Sequence, residues 1–198
     1  MRLVLDWDGT VTERDTLDLV LHEFGDPEIY RRVEDELGRR LSLHEVIALE
    51  FETVRAPLDE VAAWLVEHAR VRPGFRELAA RRRPLVVSAG FHELIEPVLA
   101  RERVTVELVA NRLDPSPTGW RALFRDEAPC PVCGEPCKRS ALPAGEPVVY
   151  VGDGYSDRCV ATAAERVFAT GSLASYLERL GVPFEPLTDF HELDRRLT

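Results

Sequence analysis

The sequence predicts an α/β protein: a parallel sheet covered by helices on both faces, with a small all-helical segment inserted after the first strand. Three observations carry this expectation. The apolar runs Leu3-Val4-Leu5, Leu85-Val86-Val87 and Val148-Val149-Tyr150-Val151 lack polar alternation, as strands buried on both faces do. Helical patterns separate these runs, which is the order of a parallel sheet with crossover connections. From about Thr16 to His68 the pattern stays helical, longer than one crossover needs. At 198 residues the chain is long enough for one domain with a modest insertion.

Taken in order, residues 2–6 read as a strand that carries Asp6 to the end of the sheet. In the insertion, Leu17, Leu19, Val20 and Leu21 form an apolar run, Ser42 and Glu45 have capping-box spacing, and Pro57 suits a first helical turn. Phe24, Tyr30, Phe51 and Trp64 are its expected small core, with one or two able to face a ligand. Pro73-Gly74 opens a helix through Leu78, and the run from Pro84 ends as a strand at Ser88, before the flexible pair Ala89-Gly90. Residues 91–103 are again helical. The strand-like stretch 104–109, the turn-rich 114–119 and the segment 120–124 predict a hairpin. A strand at 148–151, a helix at 156–166, a strand at 167–169 and a helix at 172–180 capped by Ser172 complete the pattern.

Composition excludes several classes. With 45% hydrophobic and 30% charged residues the chain is expected to fold. The net charge is -10, and Arg31-Arg32 and Arg81-Arg82-Arg83 lie among acids, which argues against a nucleic-acid partner. No run reaches about 18 apolar residues and Asp6 interrupts the first apolar stretch, so no membrane partner and a cytoplasmic location are expected. A monomer or homodimer is expected.

The chemistry is concentrated at strand ends. Asp6, Ser88 and Asp153 each follow or end an apolar run, and ligands of parallel sheets bind beyond those ends. Asp6 and Asp8 are two residues apart and share a face if the chain stays extended. Two carboxylates so placed need a cation or a proton between them. Magnesium bound by Asp6, Asp8, Asp153 and Asp157 meets that need and grips a phosphate oxygen; Asp157 is also suited to hold an outer water or a lysine. Positive charge and donors for a phosphate dianion come from Lys138, Ser88 and the amides of Ala89 and Gly90. Asp6 is then the nucleophile, and Asp8 the group that protonates the leaving alkoxide and later takes a proton from water. His92 follows the Ser88-Ala89-Gly90 turn and is a candidate for substrate contact, beside an ordinary helix-surface role.

Cys130, Cys133 and Cys137 resemble half of a zinc knuckle. Structural zinc, packed thiols that steady the loop before Lys138, and a redox pair are all open. The packed-thiol reading is preferred, because zinc normally takes four ligands and the nearest fourth candidates, Cys159 or a distant histidine, are separated from the cluster by a strand and the acidic loop. On that reading Cys159 faces the core of its helix.

With these residues in view, the sequence resembles the haloacid dehalogenase superfamily. Asp6-Trp7-Asp8-Gly9-Thr10, Ser88, Lys138 and Gly152-Asp153-Gly154-Tyr155-Ser156-Asp157 match the four motifs of its phosphatases in order and spacing. The resemblance implies a Rossmann-like core at 1–14 and 71–198 and a type-one helical cap at 15–70. It also implies an Asp6 nucleophile, an Asp8 acid/base, phosphate held by Ser88 and Lys138, and a magnesium ion served by the last acidic pair. Asp6 through Asp15, Pro73-Gly74, Val87 to Phe91 and Ala110 to Leu113 are similar to the phosphoserine phosphatase branch. The stretch Cys133 to Lys138 is similar to the methionine-salvage phosphatases, implying 2-hydroxy-3-keto-5-methylthiopentenyl-1-phosphate as substrate. Phosphoserine, phosphocholine or phosphoethanolamine are the alternatives within that chemistry, and a metal-dependent ligand-binding module is the alternative without catalysis. A phosphotransferase would need a second acceptor site. Phosphoserine phosphatases place a glutamate where this chain has the shorter Asp15, and pair it with a cap arginine; Arg39 and Arg55 are the candidates here.

Overall fold

In the computed structural model, which describes residues 1–197, the sheet order is β4-β3-β2-β1-β5-β6-β7. Strand β1 (Arg2–Leu5) lies in the middle, paired in parallel with β2 (Leu85–Phe91) and β5 (Val148–Gly152). β3 (Glu107–Asp114) extends one side, while β6 (Arg166–Ala169) and β7 (Glu185–Pro186) extend the other, all in parallel. Only β4 (Arg121–Leu123) runs antiparallel, closing the expected hairpin with β3. After β1 the chain builds outward in one direction and then returns to β5 to build in the other. The crevice at that reversal, beyond the carboxyl ends of β1 and β5, is where such sheets bind ligands.

Alternation along each strand sorts the core into two layers. Leu3, Leu5, Val86, Val149 and Val151 face α5 (Phe75–Arg82) and α6 (His92–Glu102) through Phe75, Leu78, Leu94, Ile95 and Val98. Val4, Leu85, Val87, Val148 and Tyr150 face α7 (Arg158–Ala161) and α8 (Gly171–Leu180) through Val160, Leu173 and Leu177. Helix α9 (Phe190–Arg196) packs Phe190 on Phe75 with ring centroids 5.6 Å apart. Each strand is apolar on both sides because each side is covered.

The insertion folds as α1 (Thr16–Phe24), α2 (Pro27–Glu34), α3 (Leu43–Phe51) and α4 (Leu58–His68). Of its local signals, Ser42 and Glu45 form a reciprocal capping box, while Pro57, expected inside a first helical turn, stands one residue earlier at the cap position of α4. Phe24 meets Trp64 edge-on at 5.5 Å, as an internal core requires. Phe51 then meets Phe91 of β2 at 4.8 Å, joining the insertion to the sheet. Among the described residues no helix is long and apolar enough to cross a membrane.

Four local expectations are corrected. β2 continues to Phe91, but its ladder with β3 breaks between Val87 and Phe91, so Ser88, Ala89 and Gly90 are released from regular pairing. β3 starts at Glu107, later than its apolar residues suggest. The helix expected over 156–166 is a 3₁₀ turn (Tyr155–Asp157) followed by the single-turn α7, because the Glu165 N–H must reach Val148 O to begin β6. In α8 the cap position belongs to Thr170, and Ser172 lies inside the first turn with its Oγ donating to Asp153 O at 3.4 Å. β7 and α9 had no sequence expectation.

Candidate active site

Asp6 is the first residue beyond β1, and its N–H still pairs with Val151 O at 2.9 Å. The chain then turns sharply, with Gly9 at φ +69°. A Cβ on Gly9 would stand 2.3 Å from Asp153 Oδ2, so a side chain there would occupy the space the carboxylate needs. Arg72 braces this turn by donating to Thr10 O and Gly9 O, both at 2.9 Å. Thr12 Oγ1 donates to Trp7 O at 3.1 Å.

Because the backbone turns, Asp6 and Asp8 part company, contrary to the extended-chain expectation. Asp6 joins Asp153 and Asp157 in one carboxylate group with oxygens within 4.8 Å of one another. Asp8 lies outside that group. Its Oδ1 accepts from the Thr16 N–H at 3.0 Å and from Thr16 Oγ1, and its Oδ2 accepts from Ser88 Oγ at 3.2 Å. The expected fourth side-chain carboxylate for a metal is instead engaged by Thr16 and Ser88.

Lys138 reaches this group from the loop before β5. Its Nζ donates to Asp6 Oδ1 and, at 2.7 Å, to Asp157 Oδ1. Tyr150 Oη donates to the same Asp157 oxygen at 2.6 Å, while the N–H groups of Asp153 and Gly154 donate to Oδ2 at 2.8 and 3.0 Å. A Cβ on Gly152 would sit 2.5 Å from Asp157 Oδ2, so this approach also depends on glycine. Asp157 is fully buried and its four acceptor positions are filled. It holds the lysine; Asp6 and Asp153 retain the oxygens free for a cation.

The electrostatics follow from this crowding. Burial, then Asp157, pushes the Asp6 carboxyl well up, although Lys138 pulls the other way. Burial and Asp157 likewise raise Asp153 to about 6. Burial alone would raise Asp157, but Lys138 and the Gly154 N–H overcome it and hold the group low. Lys138 stays protonated because Asp157 and Asp6 outweigh its desolvation. With all three carboxylates ionised against one ammonium the group carries two excess negative charges, which a divalent cation is able to neutralise. Burial also raises Asp8, opposed by its bonds from Thr16.

Beside this group opens a cavity of about 370 Å³. Ser88, Ala89 and Lys138 line its inner end, Tyr155 and Ser156 one flank, and Leu43 and His44 of α3 another. Ser88 Oγ accepts from the Gly90 N–H at 2.8 Å, which fixes the hydroxyl beside Asp8.

The expected selectivity residues are not brought together. Asp15 caps α1, with Oδ1 accepting from Leu17 N at 2.8 Å and Asp18 N at 3.1 Å. Arg39 and Arg55 are exposed, and Arg55 donates to Thr53 O at 3.2 Å. His92 Nδ1 lies 2.8 Å from Glu96 Oε1 one turn along α6, so it takes the helix-surface role. None of the four lines the cavity. Sequence reasoning missed Tyr150, Thr16, Arg72, Asn111 and Arg125. Asn111 Nδ2 donates to Ala89 O at 2.7 Å and its Oδ1 accepts from Arg125 N at 3.1 Å, tying the Ser88-Ala89-Gly90 turn to the cavity wall. For Asn111 the signal was its place in the Ala110 to Leu113 stretch that resembles the phosphoserine phosphatase branch; for Tyr150 it was a hydroxyl within a buried run. Cys159 is a further correction: its Sγ is 3.9 Å from Cys130 Sγ, facing the loop cysteines rather than a helix core.

Comparison with known proteins agrees with this arrangement. The family model of the haloacid dehalogenase-like hydrolases matches residues 3–162. A 2-hydroxy-3-keto-5-methylthiopentenyl-1-phosphate phosphatase of Brevibacillus brevis is 29% identical, covering 98% of this chain and 94% of its own length. Its counterpart in Geobacillus thermodenitrificans is 31% identical, covering 96% of this chain and 92% of its own. A solved structure of a phospho-aspartyl intermediate analogue of phosphoserine phosphatase superposes with a TM-score of 0.66 at 20% identity, covering 98% of this chain and 97% of that one. This last likeness concerns the fold.

Proposed function

Since the chain belongs to the haloacid dehalogenase-like hydrolases, and to their phosphatases, we propose that it is a magnesium-dependent phosphomonoesterase that works through an aspartyl phosphate on Asp6. One observation carries the reading: Asp6 sits at the end of the central strand, held on one oxygen by Lys138 and beside Asp153. Its other oxygen has only a long contact, 3.4 Å, from Thr10 Oγ1. A carboxylate oriented in this way is a nucleophile with a free edge.

Magnesium on Asp6 and Asp153 would polarise the phosphoryl group and screen it from the acids. The Lys138 ammonium and the Ser88 hydroxyl, both lining the cavity, bind the remaining phosphate oxygens and orient phosphorus toward Asp6. Asp6 forms the bond to phosphorus as the ester bond breaks, and Asp8 gives its proton to the departing alkoxide. Burial, which raises Asp8, favours the protonated form this step needs. Asp8 then takes a proton from the water that attacks phosphorus, releasing inorganic phosphate and restoring Asp6. Residues 15–70 act as a cap over the core formed by 1–14 and 71–198; α3 brings Leu43 and His44 to the cavity.

For the substrate, we favour 2-hydroxy-3-keto-5-methylthiopentenyl-1-phosphate, the compound in the names of relatives that match nearly end to end. Leu43, with His44 stacked on Phe124 at 3.8 Å, offers an apolar, polarisable wall for a methylthio group. Phosphoserine is less favoured, because Asp15 commits its Oδ1 to the cap of α1 and Arg39 and Arg55 are exposed rather than paired with it. The test is phosphate release with and without magnesium from this compound, phosphoserine, phosphocholine and phosphoethanolamine. The expected result is magnesium-dependent turnover selective for the first and abolished by Asp6→Asn. Turnover retained in folded D6N protein would overturn the nucleophile; equal rates on all four would overturn the substrate.

A further inference from the structure

Outside the acidic site, one cluster of ligating side chains remains unexplained. Cys130, Cys133 and Cys137 lie in the loop between β4 and β5, and Cys159 lies on α7, yet all four sulfurs are within 4.8 Å of one another. All four are free thiols. A tetrahedral zinc thiolate with bonds of about 2.3 Å separates its sulfurs by roughly 3.8 Å. The Cys130–Cys159 separation is 3.9 Å. We propose that these four cysteines bind one structural zinc ion, closing the loop that carries Lys138 against the turn that carries Asp157.

The loop suits a thiolate at Cys130. Residues 130–135 form a tight loop: Gly134 N–H donates to Cys130 O at 2.9 Å and Cys130 N–H to Glu135 O at 3.0 Å, with Gly134 at φ +80°. The loop turns the Val132 N–H onto Cys130 Sγ at 3.4 Å, a bond that favours the ionised sulfur. Arg139 Nη1 stands 3.9 Å from Cys159 Sγ and 3.4 Å from Cys159 O, bringing positive charge toward a centre that carries two net negative charges when zinc is bound. Four thiolates fill a tetrahedral shell and leave no position for substrate, so the ion is structural rather than catalytic.

The need for such a clasp is physical. Between β4 and β5 the chain has one short helical turn, Lys138–Ala141, and much of the rest is exposed, Val132 to 61%. In a connection of this length with little apolar packing, Lys138 is held by its ion pair with Asp157 and by Arg125, which donates to Ser140 Oγ at 3.1 Å and Cys137 O at 3.4 Å; a metal cross-link would add a brace on the loop side. Cys137 directly precedes Lys138, and Cys159 follows Asp157 by two residues. Zinc joining these positions would brace the Lys138–Asp157 ion pair from behind. The cysteines are therefore positioning residues.

The test is metal content of the purified full chain by elemental and native mass spectrometry, with variants C159S, C133S and Asp153→Asn. One zinc per chain is expected in the wild type and in D153N, with loss in both serine variants; D153N separates this site from the acidic one. Replacement by cobalt should give the absorption of a tetrahedral thiolate complex, a signature independent of phosphatase activity. Wild-type protein from zinc-supplemented growth that holds no zinc, or that shows a disulfide by mass, would overturn the proposal. So would zinc retained by C159S but lost by D153N. Because metal content is read directly, this outcome stands apart from any failure to hydrolyse the proposed substrate.

Discussion

Asp157 shows how a single buried residue can order its neighbours while all its own acceptor positions are filled. Its two oxygens are consumed by Lys138, Tyr150 and two backbone N–H groups, so its charge fixes the lysine beside Asp6. Tyr150→Phe deletes one of those donors without opening a cavity. A hydrogen bond to a buried charged group is worth about 1.5–3 kcal/mol, and Lys138 still shares the oxygen, so the expected loss is about 1–2 kcal/mol of stability. Urea unfolding measures it, and a change within experimental scatter would show that Tyr150 is incidental. Glu50 of α3 makes the opposite case. It is 4% exposed, its Oε1 has no hydrogen-bond partner among the described residues, and burial followed by Glu34 and Asp18 raises it from 4.5 to about 8. Between those two values the unfolded chain has released a proton that the folded chain keeps. Folding stability should therefore fall as pH rises from about 4.5 through about 8. Thermal melts across that range should show this slope, reduced in Glu50→Gln; an unchanged slope would remove Glu50 as its source.

At the scale of elements, legibility tracked how far a signal depends on its own neighbours in sequence. The apolar runs of β1, β2 and β5 announced buried parallel strands, and so placed Asp6, Ser88 and Asp153 at one end of the sheet. The Ser42–Glu45 capping box was equally local. What escaped the sequence was set by distant partners: the early end of α7 is imposed by β6 pairing, and β7 is a two-residue strand that exists only against β6. The divergence of Asp6 and Asp8 escaped because each carboxylate is claimed by partners distant in sequence, Asp6 by Lys138 and Asp153, Asp8 by Ser88. Ser42→Ala tests the coupling of a local signal to the site. Loss of an N-cap costs about 1 kcal/mol, and here it loosens the first turn of α3, where Leu43 and His44 line the cavity. KM should rise several-fold with kcat nearly unchanged, since Asp6 and Lys138 lie on other elements. Loss confined to kcat would contradict a binding role for that turn.

For the whole molecule, the site is a product of topology rather than of any one segment. Asp6, Ser88, Lys138 and Asp153 come from four separated stretches that meet only because β1 lies between β2 and β5 and the loop before β5 folds back. The unfolded chain cannot hold these acids together, so a divalent ion that binds them should stabilise the entire fold. Two excess negative charges in a buried setting supply the differential affinity. At a magnesium concentration one hundred times its dissociation constant, binding to the folded state alone contributes about 2.7 kcal/mol. For a chain of this size that corresponds to a rise in Tm on the order of 5–10 °C. Titrating magnesium in a thermal-shift assay should trace this rise and its saturation. Asp153→Asn should flatten the titration, because it removes an oxygen set free for the cation. Ser42→Ala, remote from the acids, should leave the increment intact while lowering the whole curve. A melting temperature indifferent to magnesium in the wild type would mean that these carboxylates do not form a cation site in the folded protein, and the phosphoryl-transfer reading would lose its support.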